Sequence, residues 1–282
     1  MATFVKQGGN AMLTNKKVGF VGGGMMCEAL MGGLLSREML KPSQVTVYDV
    51  VKERLHYLKE RYGVHSGETG QSVASASDVL FLTVKPQVMA SVLMDIGNFV
   101  PKKSLVVSIA AGIKISTIEK YLPGVPVIRV MPNTPVAVGE GMSAVARGTY
   151  ADENAANLVS DMFSAVGRSV LVDESMMDAV TGLSGSGPAF FFMMLDALSD
   201  AGVRVGLSRQ NALLLSAQTM LGAAKMVLET GEHPAKLKDM VTSPGGTTIS
   251  GVQVLENHAI RASLIEAVVA ATARSRDMGK DQ

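Results

Sequence analysis

The chain has 282 residues, 47% of them hydrophobic, and its 26 Lys and Arg side chains nearly balance 25 Asp and Glu, for a net charge of +1. That length favours two domains, while the balanced charge, with no run of like charges longer than Lys16-Lys17, excludes the basic surface typical of nucleic-acid or anionic-membrane binding. The single cysteine, Cys27, excludes an intrachain disulfide framework and a multi-thiolate metal site, and it favours a reducing compartment, of which the cytoplasm is the simplest.

Residues 1–16 are polar and contain glycine but no acidic residue. Because they also lack the Arg and Ser content of an organelle transit peptide, we predict a flexible N-terminal extension. No uncharged stretch of the chain reaches the roughly 20 apolar residues that cross a bilayer, so no transmembrane helix is expected.

From Lys17 the hydrophobic pattern becomes that of alternating strands and helices. VGFVG is typical of a short strand, GGMMCEALMGGLLSRE of a helix, VTVYD of a second strand and KERLHYLKERYG of an amphipathic helix. The segments between the later apolar runs are long enough for crossover helices, so an α/β domain with a Rossmann-type, mainly parallel sheet is predicted over 17–172. The direction of the last strands stays open. The later strands are predicted at Val79–Thr83, Leu105–Ile109, Val127–Met131, Met142–Ala146 and Ser169–Val172.

After Val172 the strand pattern ends, and residues 173–282 are predicted to form an all-α domain. Ser208 as a cap and Pro234 in a first turn mark helix starts. Several of the helical segments are hydrophobic on more than one face, which predicts burial against a second subunit, so we expect an obligate dimer. The predicted helices are Met176–Gly202, Ser208–Thr230, Pro234–Met240 and Gly251–Met278.

The glycine-rich segment Gly22–Cys27 follows the first strand and opens the first helix. It matches the first two glycines of the G-x-G-x-x-G/A motif, with Cys27 in place of the third small residue. Gly22 permits the tight turn, Gly24 lets the backbone approach a pyrophosphate, and the helix N-terminus supplies unpaired N–H groups. The strand–turn–helix context and an acidic residue at the end of the second strand favour a dinucleotide site over a purely structural turn.

That acidic residue is Asp49. A carboxylate at this position binds the 2′-hydroxyl of the adenosine ribose and repels a 2′-phosphate, which favours NADH over NADPH. Lys52 and Arg54 follow closely and would offset the repulsion. An acidic N-cap for the helix that starts near Val51 accounts for Asp49 equally well. The predicted cofactor is therefore NADPH or NADH, with the preference open.

Three further segments contain candidate ligand-binding groups. Thr83–Pro86 puts one cation at the carboxyl edge of the sheet, where ligands of such folds bind, although a solvated charge accounts for Lys85 by itself. Leu183–Pro188 is rich in small residues and fits either a close backbone approach or a hinge. The N–H groups and hydroxyls of Thr242–Thr248 suit a carboxylate, or else they form a capped turn between helices.

The histidines and the cysteine do not indicate metal or nucleophile chemistry. His56, His65, His233 and His258 have no paired spacing that suits a metal, and none lies in a Gly-rich motif. Cys27 has no adjacent histidine, so a packed thiol is favoured over a nucleophile. No metal site is predicted.

Six motifs along the chain are GFVGGGMMCEAL at 19–30, VKPQ at 84–87, AAG at 110–112, RVMPNTP at 129–135, DAVTGLSGSGPAF at 178–190 and SPGGTT at 243–248. In the order and spacing of these motifs, the sequence from Val18 to the C-terminus resembles the pyrroline-5-carboxylate reductase family. The last three of the shared motifs are specific to that family, whereas the first occurs in many dehydrogenases. The resemblance implies NAD(P)H-dependent reduction of 1-pyrroline-5-carboxylate to L-proline, the last step of proline synthesis, by a homo-oligomer that is at least a dimer.

The resemblance also implies roles for individual residues. Contacts to the dinucleotide are implied for Val21, Gly22, Gly23, Gly24, Met25 and Met26 at the pyrophosphate, and for Thr83, Val84, Lys85, Pro86, Ile109, Ala110 and Ala111 at the nicotinamide half of the cleft. Substrate contacts are implied for Glu174, Gly246, Thr247 and Thr248. Thr248 is the implied catalytic residue, because its hydroxyl would lie beside the imine nitrogen. Asp49 departs from the Asn or Ser of many relatives, so the family's usual NADPH preference stays open here.

Two other functions fit parts of the sequence. The β-hydroxyacid dehydrogenases share the domain plan, and Gly182, Gly185 and Gly187 match glycines of their interdomain helix, but Phe191 stands where they have a catalytic lysine. A dinucleotide-sensing protein without turnover would keep the fold, yet it would not need an intact SPGGTT segment. Substrate-dependent oxidation of NAD(P)H separates the three functions.

Overall fold

A computed structural model describes Leu13 and residues 15–279. The chain divides into two compact units. The first runs to Ser186 and includes the chain again from Ala270, and the second comprises Gly187–Val269. The predicted boundary at 172/173 precedes the end of the first unit, because the helical turn after the last strand packs on the sheet, where Met177 is fully buried. The domain boundaries remain predictions.

The first unit is built, within the described residues, on one sheet of eight strands. Its strands are β1 (Val18–Val21), β2 (Val45–Tyr48), β3 (His65–Ser66), β4 (Val79–Leu82), β5 (Leu105–Ser108), β6 (Val127–Met131), β7 (Gly141–Arg147) and β8 (Gly167–Leu171). They lie in the order β3-β2-β1-β4-β5-β6-β7-β8. Only the β6–β7 pair is antiparallel. The Rossmann-type prediction is confirmed, whereas β3 was not predicted because its two exposed residues carry no hydrophobic pattern.

Helices join the strands of the first unit and form the second. They are α1 (Met25–Ser36), α2 (Lys52–Tyr62), α3 (Gly70–Ala76), α4 (Met89–Ile96), α5 (Ile115–Tyr121), α6 (Glu153–Ser164), α7 (Met177–Val180), α8 (Gly187–Arg204), α9 (Arg209–Thr230), α10 (Pro234–Met240), α11 (Thr247–Asn257) and α12 (Ile260–Met278). Among the residues that the structure describes, no strand follows β8, and this confirms the predicted all-α C-terminal part.

Two helices that were predicted to be continuous are interrupted in the structure. The predicted helix Met176–Gly202 is interrupted by a π-helical turn over Thr181–Gly185, because glycines and a hydroxyl that bonds the preceding turn weaken the regular α-helix. The predicted helix Gly251–Met278 is two helices, since Ala259 has φ +53° and ends α11 in a left-handed turn. Alanine gives no sequence signal for such a turn.

The core of the first unit fixes the carboxyl ends of its central strands. β1 and β4 are buried at every position, as expected for parallel strands between two helix layers. Phe20 on β1 and Phe81 on β4 stack with their ring centroids 4.8 Å apart. The loops that leave these two strands therefore start from rigid positions, which suits a binding site.

Part of the predicted N-terminal extension belongs to this core. Leu13 is fully buried and packs in the hydrophobic cluster on the α1 face of the sheet. Its carbonyl oxygen accepts a hydrogen bond from Gln44 Nε2 at 2.8 Å, and that of Lys16 accepts from the same group at 2.9 Å. This corrects the flexible extension at Leu13 and Lys16, because both residues are held to the domain. Residues 1–12 and 14 lie outside the described residues.

Ser143 on β7 is a buried hydroxyl without a hydrogen-bond partner among the described residues. Such a group costs about 1–3 kcal/mol. We expect Ser143→Ala to leave the free energy of unfolding unchanged or to raise it by about 1 kcal/mol in urea denaturation at fixed protein concentration. Ser104→Ala is the matched control, because the equally buried Ser104 hydroxyl donates to the carbonyl oxygen of Ser77 at 2.7 Å. Ser104→Ala should lower the free energy of unfolding by about 1 kcal/mol. An equal decrease in Ser143→Ala would contradict the prediction.

The second unit exposes many large apolar side chains. α8 and α9 carry most of them, although polar contacts such as the Arg209–Asp200 ion pair at 2.6 Å join the two helices. Apolar patches of this kind are typical of an interface between subunits. The exposed side chains on α8 and α9 include Phe191, Phe192, Met193, Leu213, Leu214 and Leu215. No helix of the described chain has the length and apolar character needed to cross a bilayer.

Candidate functional site

The glycine-rich segment after β1 forms a tight turn against β4. Gly22 has φ +102°, which glycine adopts without strain, and a Cβ there would lie 2.8 Å from the carbonyl carbon of Thr83. Its N–H donates to the carbonyl oxygen of Tyr48 at 2.8 Å. At Gly24, by contrast, a Cβ would meet no atom within 4 Å. The fold thus requires glycine at position 22, while the space beside Gly24 is open to a ligand.

The N-terminus of α1 opens onto this space. Gly24 is the N-cap residue and has no side chain that could accept a hydrogen bond from the first turn. The N–H groups of that turn are therefore available to an anion, and the helix dipole favours negative charge there. Met25 is 87% exposed, and Met26 is half-buried. This cradle of glycines and free N–H groups fits the pyrophosphate of a dinucleotide.

The other predicted cofactor residues lie at the carboxyl ends of neighbouring strands. Thr83 follows β4, and its hydroxyl donates to the carbonyl oxygens of Gly22 at 2.5 Å and Val21 at 3.1 Å, so it holds the glycine loop. The strand order reverses between β1 and β4, which is where ligands bind in such sheets. The structure thus brings the predicted residues of this half together along the sheet edge: Val84, Lys85, Pro86, Ile109, Ala110 and Ala111 after β4 and β5, beside the loop after β1.

Asp49, after β2, binds the glycine loop directly. Its Oδ2 accepts from the N–H of Gly23 at 2.6 Å, and its Oδ1 accepts from the N–H of Val51 at 2.9 Å. The N-cap residue of α2 is Val51, so Asp49 is not the cap that the sequence left open as an alternative. Each carboxylate oxygen keeps a further lone pair for a ligand. The carboxylate is thus fixed beside the loop in one orientation.

The two cations that follow Asp49 differ in their surroundings. Arg54 Nε donates to the carbonyl oxygen of Gly23 at 2.5 Å, and its guanidinium pairs with the carboxylate of Glu28 on α1. Lys52 is exposed and has no partner among the residues described. Of these two cations, only Lys52 is therefore left without a hydrogen bond or ion pair to the described residues.

Glu28 is the centre of a network between α1 and α2. Its carboxylate accepts from the hydroxyls of Tyr57 and Tyr62, each at 3.0 Å, as well as from Arg54. Partial burial alone would raise the pKa of Glu28, but these hydrogen bonds together hold that pKa below its ordinary value. Glu28 is thus an anion at neutral pH. The sequence pattern does not indicate this network, because neither residue type nor spacing connects residues on two different helices.

Cys27 and the histidines do not form a reactive centre. Cys27 is fully buried, and this burial raises the pKa of its thiol to about 12, so the thiol is protonated at neutral pH. Its predicted role as a packed thiol agrees with this environment. No group of His, Cys, Asp or Glu side chains suited to a metal ion occurs in the part of the chain that the structure describes.

Glu174 lies just after β8 and is held by two donors. Its Oε1 accepts from the backbone N–H of Ile115 at 2.7 Å and from Arg129 Nη1 at 3.0 Å. Arg129 on β6 is buried, and its ion pair with Glu174 leaves the carboxylate about a third exposed. Glu174 Oε2 has no hydrogen-bond partner among the described residues, so it is the atom left for the substrate contact that the resemblance implies.

The SPGGTT segment starts α11 in the second unit. Gly245 has φ +68°, and Gly246 is the N-cap residue, so Thr247 and Thr248 occupy the first two helical positions rather than a loop. Both threonines are exposed, and within the described residues their hydroxyls have no hydrogen-bond partner. Free N–H groups and two free hydroxyls at a helix N-terminus suit a carboxylate and a neighbouring polar atom.

Known proteins resemble the chain over both units. Residues 17–112 match the family model described as NADP oxidoreductase coenzyme F420-dependent, and residues 174–278 match pyrroline-5-carboxylate reductase dimerisation. The pyrroline-5-carboxylate reductase of Methanosarcina acetivorans is 46% identical over 269 residues, or 95% of this chain and 100% of the relative. Two solved structures are similar over 93% and 94% of this chain and 98% of their own. They are the reductase of Coxiella burnetii, with TM-score 0.87 and 35% identity, and that of Plasmodium falciparum with NADP bound, with TM-score 0.85 and 32% identity.

Proposed function

This chain belongs to the pyrroline-5-carboxylate reductase family, and we propose that it uses NADH in preference to NADPH. It is an NAD(P)H-dependent oxidoreductase that reduces 1-pyrroline-5-carboxylate to L-proline, the last step of proline biosynthesis, and it is a homo-oligomer. The observation that carries the cofactor proposal is the fixed carboxylate of Asp49 beside the glycine loop.

The reaction needs positioning more than a strong acid. A bound reduced nicotinamide supplies the hydride that the C=N carbon of the substrate accepts. The imine is basic enough to be protonated near neutral pH, so the substrate is electrophilic before it reacts. In our proposal the free N–H groups of α1 hold the pyrophosphate and those of α11 hold the substrate carboxylate. The hydroxyl of Thr248 donates to the nitrogen of the neutral imine or relays a proton to it from water, and the nitrogen, once protonated, no longer accepts a hydrogen bond. Such positioning is worth several kcal/mol.

The surroundings of Asp49 support NADH. Two backbone N–H groups fix the carboxylate, so it cannot turn away from a ribose at the loop without losing both hydrogen bonds. A 2′-phosphate would stand against this negative charge. Arg54 does not neutralise the pocket for a phosphate, because Glu28 already neutralises Arg54. Lys52, at the exposed start of α2, is a cation without a partner among the described residues, and its attraction for a 2′-phosphate makes NADPH the second candidate cofactor.

The cofactor proposal predicts the effect of Asp49→Ser. Removing the carboxylate removes the repulsion and leaves Lys52 to attract the 2′-phosphate, so the ratio of kcat/KM with NADPH to that with NADH should rise by about tenfold or more, or about 1.4 kcal/mol. The measurement is steady-state oxidation of each reduced cofactor at saturating pyrroline-5-carboxylate.

Asp49→Asn is the matched control, because it keeps an oxygen for the Gly23 N–H while removing the charge. Both variants should shift the ratio in the same direction. An unchanged ratio in both would mean that Asp49 only fixes the loop. A wild-type enzyme that prefers NADPH would refute the proposal directly.

Two further proposals concern the substrate and the compartment. Gly246 and Thr247, through the N-terminus of α11, would hold the carboxylate of the substrate, and Glu174 Oε2 would contribute a polar contact.

The cytoplasm is our proposed location, on the ground that the single cysteine is a buried free thiol and suits a reducing compartment. Fractionation of the source cells would test the location.

A further inference from the structure

The second glycine of the loop is held from both sides. The N–H of Gly23 donates to Asp49, and the carbonyl oxygen of Gly23 accepts from Arg54 Nε at 2.5 Å. The Arg54 guanidinium also reaches the carbonyl oxygen of Gly24 at 3.4 Å. Glycine has little conformational preference of its own, so these contacts decide how the two peptide groups around Gly23 are oriented.

One of those peptide groups joins Gly23 to Gly24, beside the space that is open to a ligand. The carbonyl of Gly23 and the N–H of Gly24 belong to the same planar trans peptide and point in opposite directions. By binding the carbonyl on one side, Arg54 therefore sets the direction of the Gly24 N–H on the other. That N–H has no hydrogen-bond partner within the described part of the chain, and Gly24 itself is exposed, with open space where a Cβ would stand.

The Arg54 side chain is itself held in place. Its guanidinium pairs with Glu28 and lies over the ring of Tyr57, with Cζ 5.0 Å from the ring centroid. The Arg54 side chain is only 24% exposed and that of Glu28 only 18%. A planar guanidinium with Nε on a carbonyl and an Nη on a carboxylate uses the fork geometry that lysine does not possess.

We propose that Arg54 is a positioning residue for the phosphate-binding loop, which it holds equally for NADH and NADPH. This inference rests on the proposed role of the loop in binding the pyrophosphate, but not on the proposed preference for NADH. From its position after Asp49, Arg54 was predicted to offset the repulsion between Asp49 and a 2′-phosphate. The inference assigns Arg54 a different role. We expect Lys52, and not Arg54, to bind a 2′-phosphate.

The test is the pattern of affinity across both cofactors. We expect Arg54→Lys, which keeps the charge but loses the fork, to weaken binding of NADH and of NADPH by about tenfold each, so their ratio stays within about twofold. The kcat at saturating cofactor and the KM for pyrroline-5-carboxylate should change by less than about threefold. Titration of nicotinamide fluorescence gives the two dissociation constants.

Two variants on the same helix complete the test. Lys59→Ala removes another exposed cation of α2 and should change neither affinity, while Lys52→Ala should weaken NADPH only. A loss in Arg54→Lys confined to NADPH would identify Arg54 as a phosphate ligand and overturn the proposal. Unchanged affinity for both cofactors would overturn it too.

Glu28→Gln gives a second route if Arg54→Lys does not fold, which thermal melting reveals. It leaves Arg54 in place and removes the negative charge that pairs with its guanidinium, so both affinities should fall together, by about threefold or more, at an unchanged ratio. Wild-type affinities in a folded Glu28→Gln protein would overturn the proposal. Gly24→Val, which places a side chain in the space assigned to the pyrophosphate, tests the loop separately. If Gly24→Val binds both cofactors normally, the role of the loop in pyrophosphate binding is wrong. If Gly24→Val loses binding but the Arg54 and Glu28 variants bind normally, that role is retained and the inference about Arg54 is wrong.

Discussion

Gly24→Val is expected to fold and to associate with its partner subunit as the wild-type chain does, and to bind neither NADH nor NADPH detectably. The backbone of Gly24 has φ −65° and ψ −176°, a conformation open to any residue, and a Cβ there meets no atom of the protein within 4 Å. The added side chain would instead occupy the space that we assign to the pyrophosphate. A loss beyond about 100-fold corresponds to about 2.7 kcal/mol.

Binding is measured by titration of nicotinamide fluorescence, and folding by circular dichroism and size-exclusion chromatography. Gly22→Ala is the contrasting variant, because its Cβ would lie 2.8 Å from the Thr83 carbonyl carbon at φ +102°, so it should lower stability as well as binding. Gly24→Ala, with one carbon, should lose less affinity than Gly24→Val. Normal cofactor binding by Gly24→Val would remove the pyrophosphate assignment.

Thr248→Ala is expected to lower kcat/KM for pyrroline-5-carboxylate by about 10- to 100-fold while cofactor affinity and folding are retained. The hydroxyl is exposed at the start of α11 and has no partner among the described residues, so its removal leaves no buried group unpaired. A hydroxyl is a weak acid and solvent also protonates the imine, so the loss should stay below the upper end for a general acid.

Two controls separate the hydroxyl of Thr248 from the backbone of its helix. Thr248→Ser keeps a hydroxyl at the same position and should recover most of the loss. Thr247→Ala should mainly raise the KM for the substrate, since we assign its neighbourhood to the carboxylate. Wild-type kinetics in Thr248→Ala would mean that the segment acts through its backbone N–H groups alone.

The position of the glycine loop was predictable because its requirements are local. A strand of four buried residues, a turn that needs φ +102° at Gly22 and a helix that starts at Met25 are consecutive in the chain, and each is encoded in neighbouring residues. The same holds for every strand except β3 and for the all-α region after Val172, whose periodicities are set within short windows. The resemblance to the reductase family added residue roles that these patterns do not contain.

The side chains that hold the loop were not predictable in this way. Asp49 reaches Gly23 across 26 residues and Arg54 reaches it across 31, because β2 lies beside β1 and α2 contacts α1. The sequence placed Asp49 near a ribose and left a helix cap as an equal alternative. Only the hydrogen bond to Gly23 and the start of α2 at Lys52 removed the alternative.

Sequence alone determined the alternation of strands and helices in the first unit apart from β3, the all-α character of the chain after Val172, the glycine that the turn requires, and the family to which it belongs. Tertiary structure decided which charges are engaged: Arg54 by Glu28 and Gly23, with Lys52 left exposed. The physical reason is that backbone conformation depends on adjacent residues, whereas the partner of a charged side chain depends on which elements the sheet order and helix packing bring within about 3 Å of it.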